Sequence, residues 1–154
     1  MYAPRHGWNW GPIKRQKGTD TPDGKIVAAE ALGLVNHHHG AEVCIDSNGV
    51  GSSAYDFLKD KWPTTGVPFQ GSPADLQQWE RGHKFHNMRA AIWWMMRLIL
   101  DPARGFEVCL PPDARLRSEM IAPRYMLRGG KLIIEDKDDI KTVSYTHLTL
   151  PTKA

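Results

Sequence analysis

Cysteine is scarce in this sequence: Cys44 and Cys109 are the only two in 154 residues. Two isolated thiols can neither staple a disulfide-dense secreted fold nor complete a tetrahedral zinc site. Each sits in an apolar, strand-like run, so the expectation is two buried free thiols in a reducing compartment. Long apolar runs are missing too. The best, Ala90 to Met96, is cut by Arg97 and falls far short of the ~20 residues that cross a bilayer. Met1 leads into Pro4, Gly7 and Pro12 with no apolar h-region, so no signal peptide is expected. No G-x-x-x-x-G-K-[ST] loop occurs, which excludes P-loop ATPase chemistry from these residues. Internal repeats and low-complexity tracts are absent. The formal net charge is only +3, which does not by itself announce a nucleic acid.

What is present is ordinary globular composition, 41% hydrophobic and 24% charged, on a chain long enough for a real core. The most informative stretch runs from Val43 to Leu58. Val43-Cys44-Ile45 is a continuous run of β-favouring residues, which predicts an interior strand. Asn48, Gly49 and Gly51 supply a tight turn, and from Ser52 the spacing of Ala54, Phe57 and Leu58 is helical. Asp46 therefore stands where a strand runs out into a glycine turn, beyond the carboxyl end where function collects in α/β sheets. A carboxylate held there suits a hard cation such as magnesium or manganese. It also suits an Asx-turn, accepting from the backbone N–H of Asn48 or Gly49. Both remain open from the residues alone. A third template fits as well: Gly49-Val50-Gly51-Ser52-Ser53-Ala54 is a G-x-G-x-x-A sequence, as dinucleotide-binding turns require. Against it, an ionised Asp46 would repel a pyrophosphate. The next candidate strand, near Gly66-Val67-Pro68-Phe69, also ends at Gln70 rather than at an acid able to hold a ribose.

Elsewhere the chain divides by its punctuation. Arg5, Lys14, Arg15 and Lys17 precede the first acid, Asp20, with Trp8 and Trp10 among them, a mixture suited to a DNA backbone and unpaired bases or to a solvated hairpin. Gly18 to Gly24 reads as a turn and Lys25 to Leu34 as a helix ending at Gly33 or Asn36. His37-His38-His39 cannot all face one ion, because neighbours in sequence point apart, and reads as a loop. Ser72-Pro73-Ala74-Asp75 is a helix start, with a break expected at Gly82. Met88, Ala91, Ile92, Met95 and Ile99 form the apolar stripe of a helix ending at Asp101-Pro102, with Trp93 and Trp94 read as core or interface. Phe106 to Leu110 predicts a short strand closed by Pro111-Pro112, and Arg115 to Ile121 a brief helix. Tyr125 to Leu127 and Leu132 to Ile134, around a glycine turn, predict a β-hairpin. The acids of Glu135-Asp136-Lys137-Asp138-Asp139 read as a solvated face rather than an ion site.

The order of these pieces resembles the nuclease domain of bacteriophage terminase large subunits. Asp46-Ser47-Asn48-Gly49-Val50-Gly51 is similar to the segment holding that family's second catalytic acid. Phe85-His86-Asn87-Met88-Arg89-Ala90-Ala91 looks like its asparagine-arginine helix start, which Asp101-Pro102 ends. Leu110-Pro111-Pro112-Asp113 with Leu116, and Ala122-Pro123-Arg124-Tyr125, resemble its next stretch. Gly130 to Lys141 resembles its strand and lysine-aspartate segment. The likeness covers about Val43 to Lys141. It implies an α/β, RNase H-like mixed sheet flanked by helices, and metal-dependent hydrolysis of double-stranded viral DNA during genome packaging. It further implies Asp46 as catalytic residue and metal ligand, a two-metal site of Mg2+ or Mn2+, and the terminase small subunit and portal as partners in the host cytoplasm. Lys14, Arg15 and Lys17 are the candidate nucleic-acid contacts.

The family's first catalytic aspartate precedes the region that begins here, and its last lies in a serine-proline-aspartate segment; neither motif occurs. After Thr142 the pattern stops, and Val143 to Thr152 looks like one reading frame of a transposase-type sequencing adapter. The expectation is thus residues 1–142 as a partial nuclease domain, incomplete at both ends and inactive alone, followed by a non-native tail, 143–154. Two other functions stay open: a dinucleotide-binding oxidoreductase fragment using Gly49 and Gly51, and a non-catalytic DNA-binding module.

Overall fold

A computed structural model describes residues 1–38, 40–74, 82–136 and 140. They form two compact units, Met1–Gly71 with Phe106–Pro111, and Ser72–Gly105 with the residues from Pro112 onward. The described residues are mixed α/β, with four α-helices and three small sheets. None of the helices is long and apolar enough to cross a membrane.

The first unit begins with a hairpin, β1 (Arg5–His6) against β2 (Asn9–Trp10), turned at Gly7 with φ +59. Trp10 N–H donates to the Cys109 carbonyl at 2.8 Å and Cys109 N–H to that of Trp8 at 3.1 Å. This single bridge is all that becomes of the strand expected over Phe106 to Leu110. Pro111 and Pro112 lack the N–H groups that a longer ladder needs.

Helix α1 (Gly24–Val35) starts where Asp23 accepts from Lys25 N–H at 2.9 Å. Its buried residues Gly24, Ala28 and Ala31 share one face, spaced by four and three. Their small size lets α2 (Val50–Leu58) come close: a Cβ on Gly24 would lie 2.3 Å from Ser53 Oγ. Around Ala28, Ala31 and Leu58 pack Tyr2, Leu32, Val43, Ile45 and Phe57. Strand β3 (Val43–Asp46) runs parallel to β4 (Thr64–Val67), with Asp46 opposite Val67, and α2 forms the crossover that a parallel pair requires.

Two sequence expectations are corrected here. β3 is not an interior strand: half-buried Val43 and Ile45 alternate with exposed Cys44 and Asp46. Among the described residues it has a sheet neighbour, β4, on one edge. The period of two sends alternate side chains to a face that no described element covers. For the same reason Cys44 is exposed rather than buried, and so is Cys109, on its single bridge.

In the second unit β7 (Lys131–Ile134) is central, flanked by β5 (Lys84–Phe85), parallel, and β6 (Tyr125–Arg128), antiparallel. The expected hairpin is present. Gly129 and Gly130 both have positive φ, +56 and +72, the signature of a type I′ turn. Helix α3 (Met88–Ile99) is capped by Asn87, which accepts from Ala90 N–H at 3.0 Å, and α4 (Ala114–Ile121) by Asp113, which accepts from Leu116 N–H at 2.9 Å. The core is Phe85, Ala90, Ala91 and Leu132, with Trp94 and Ile134 against it. The buried face of α3 is therefore centred on Ala90, Ala91 and Trp94, rotated from the stripe read through Ile92 and Met95. Small alanines permit close approach to the sheet, which overrides side-chain hydrophobicity. Phe85 is 1% exposed, and Phe85→Ala is expected to cost about 3–5 kcal/mol in denaturant unfolding. A loss under about 1 kcal/mol would remove Phe85 from the core.

The helix start at Ser72-Pro73 reaches only Ala74 before the description stops. The third histidine, most of the acidic run after Asp136, and the tail 143–154 lie outside the described residues.

Candidate metal centre at the end of strand β3

Asp46 is the last residue of β3, and its side chain is exposed at the strand's carboxyl end. Ser47 N–H still donates to Val67, at 3.1 Å, so the sheet holds the chain until just past the acid. The backbone then turns and Asp46 Oδ1 accepts from Asn48 N–H at 3.1 Å, the Asx-turn expected as one reading. No hydrogen bond to its other oxygen occurs among the described residues, so capping occupies one lone-pair direction and leaves the rest available. Asn48 Oδ1 is buried there without a hydrogen-bond partner. A half-used carboxylate at a strand end suits a hard cation. Asp46 would hold it, and one carboxylate does not fill six positions. Among the described residues no group of three or more His, Cys, Asp or Glu converges on one point.

The two glycines of the turn serve different ends. Gly49, the residue before α2, has φ +62 and ψ −126, a conformation that a Cβ strains. Gly51 is required for space: a Cβ there would lie 1.7 Å from the Asp46 carbonyl oxygen. Helix α2 thus starts in contact with the backbone of the residue carrying the candidate ligand. Ser52 closes the first turn, its N–H and Oγ both donating to the Gly49 carbonyl, at 3.1 and 2.7 Å.

No family model, curated protein or solved structure matches this chain. Of the candidate nucleic-acid contacts, Lys14 and Lys17 are exposed on one segment, whereas Arg15 is half-buried. Lys14 N–H and carbonyl pair with Tyr2, which fixes this segment beside the start of the chain. The cation that meets the tryptophans is Arg5, over Trp8 and Trp10 at 6.0 and 5.6 Å from the ring centres. Trp8 turns its edge to Phe106 at 5.4 Å, so this hairpin packs on its own unit while keeping a cationic aromatic face.

Sequence reading missed one polar network altogether. Tyr2 Oη donates to Glu30 Oε2 at 2.7 Å, and Gln16 Nε2 donates to Glu30 Oε1 at 2.5 Å. The Tyr2 hydroxyl, then Gln16, holds the Glu30 carboxyl below its ordinary range. Burial, then the Glu30 hydrogen bond and charge, pushes the Tyr2 hydroxyl up. The partners are far apart in sequence, and no local pattern announces them. A folded-state pKa below the unfolded value of about 4.3 means stability that is present above that value and lost as pH falls through the folded one. Acid unfolding of the wild type below about pH 5 is therefore expected to be steeper than that of Glu30→Gln, measured by circular dichroism. Equal slopes would show that the network does not couple to folding.

Proposed function

We propose that these residues belong to a metal-dependent, RNase H-like nuclease of the terminase type, with Asp46 as one ligand of a two-cation site acting on double-stranded DNA. The observation that carries the reading is Asp46 itself, an exposed carboxylate with an unused oxygen at the end of a parallel strand. The parallel β3–β4 pair and the resemblance over Val43 to Lys141 support the fold assignment. When bound, a pair of divalent cations would activate a water and neutralise charge on the scissile phosphodiester. Asp46 would hold one of these cations. Asn48 N–H fixes the carboxylate rotamer, and the glycine turn fixes the strand end against α2, which is the rigidity a metal site needs. A two-cation site takes further carboxylates besides Asp46. In its parent protein the nuclease works with the terminase small subunit and portal in the host cytoplasm, and Lys14 and Lys17 contact the DNA backbone.

The test uses the full reading frame that contains this segment. Supercoiled DNA should be nicked or linearised with Mg2+ or Mn2+ and left intact with chelator. Cleavage that persists in chelator would overturn the reading. The dinucleotide alternative draws on the strained Gly49 and the close-packed Gly51, both glycine roles of such turns. It places a pyrophosphate beside the Asp46 charge, however, and β4 ends at Val67-Pro68 without an acid. Saturable binding of a nicotinamide dinucleotide that Gly49→Val abolishes would favour it over the nuclease.

A further inference from the structure

The second unit carries an open cleft of about 500 Å3 lined by Trp94, Arg97, Leu98, Leu100, Asp101 and Arg104. From this cleft we infer a binding site for a phosphate ester with an organic base or ring attached, that is, a nucleoside phosphate. Three features converge on this chemistry. First, Trp94 Nε1–H is buried and has no hydrogen-bond partner. The same residue lines the cleft with an aromatic side chain, of a kind that suits an organic ring.

Second, Arg97 and Arg104 bring two guanidinium groups, neither in an ion pair among the described residues. The guanidinium of Arg97 lies over the rings of Trp94 and Tyr125, at 4.7 and 5.5 Å from their centres. Stacking holds the plane of the group while leaving its edge donors free for the bidentate contact that a phosphate accepts. The one acid in the lining, Asp101, already has Oδ1 committed to Ala103 N–H at 3.0 Å. Donors therefore outnumber acceptors, which selects an anion.

Third, the remaining lining is apolar. Leu98 and Leu100 provide a greasy wall, and Trp94 sits in an aromatic group with His83 and Tyr125, at 4.7 and 5.3 Å between ring centres. Bare phosphate has no use for such surface, whereas a base or sugar does. A cleft of this volume is in the range that small ligands occupy and too small for a duplex. The ester is thus a free nucleotide or the unpaired end of a strand. This inference uses neither Asp46 nor a metal and stands apart from the nuclease reading.

The experiment follows indole N–H signals in 15N-labelled protein at low ionic strength, with Trp94 assigned by Trp94→Phe. Inorganic phosphate, a nucleoside monophosphate and a short single-stranded oligonucleotide are added in turn, without divalent metal. The Trp94 indole signal should shift on saturation, with the nucleoside monophosphate binding at least about tenfold more tightly than inorganic phosphate. Arg97→Gln with Arg104→Gln, both at exposed positions, should weaken binding about tenfold or more with the spectrum otherwise unchanged. A tighter oligonucleotide identifies a strand end as the source; an equal or weaker one identifies the free nucleotide. An unmoved Trp94 signal with all three probes would overturn the site. So would phosphate binding as well as the nucleotide, or binding that the double variant leaves intact.

Discussion

Replacing Gly51 with alanine is expected to destabilise the first unit by about 3 kcal/mol or more. The added Cβ would sit 1.7 Å from the Asp46 carbonyl oxygen and 2.9 Å from its carbonyl carbon. Those atoms are backbone, so relief requires the start of α2 to lift from the end of β3. Two other glycines serve as internal controls. Gly49→Ala meets no steric neighbour but must keep φ +62, a penalty of roughly 1–2 kcal/mol. Gly33, exposed within α1 with open space around it, should gain about 0.5–1 kcal/mol on becoming alanine. Urea midpoints at constant slope give the order directly. If Gly51→Ala loses less than Gly49→Ala, the contact between helix start and strand end is not as described.

Replacing Asp46 with asparagine is expected to do the opposite: leave the fold intact and remove the chemistry. An asparagine carbonyl can still accept from Asn48 N–H, and the side chain is exposed, so stability should stay within ~0.5 kcal/mol. Metal-dependent DNA cleavage by the full reading frame should fall by on the order of 10³-fold or more, since a neutral amide is a poor replacement for an anionic ligand. The pair of variants separates two roles at one locus, Gly51 for architecture and Asp46 for catalysis. Wild-type cleavage by Asp46→Asn would take Asp46 out of the mechanism.

Local chemistry was legible at the turns, where a residue acts on its own neighbours. Gly129-Gly130 turns a hairpin, and the glycines after Asp46 turn strand into helix. Asp23, Asn87 and Asp113 also accept hydrogen bonds from the starts of the helices that follow, roles that were not read from the sequence. Apart from the strand expected over Phe106 to Leu110, the misreadings concern burial. An apolar run at Val43 to Ile45 looks the same in sequence whether one face of the strand is covered or both, and here Cys44 and Asp46 face outward. In the same way, Ala90 and Ala91 outrank Met95 in the core of the second unit because the sheet demands short side chains where it meets α3.

By itself, then, the sequence determined the turns and the position of a carboxylate at a strand end, both consequences of steric and hydrogen-bonding rules spanning a few residues. Tertiary structure alone decided which faces meet water, that Glu30 gathers Tyr2 and Gln16, and that Trp94, Arg97 and Arg104 line one cleft. Such convergence depends on the packing of whole elements, whose relative placement no local spacing encodes.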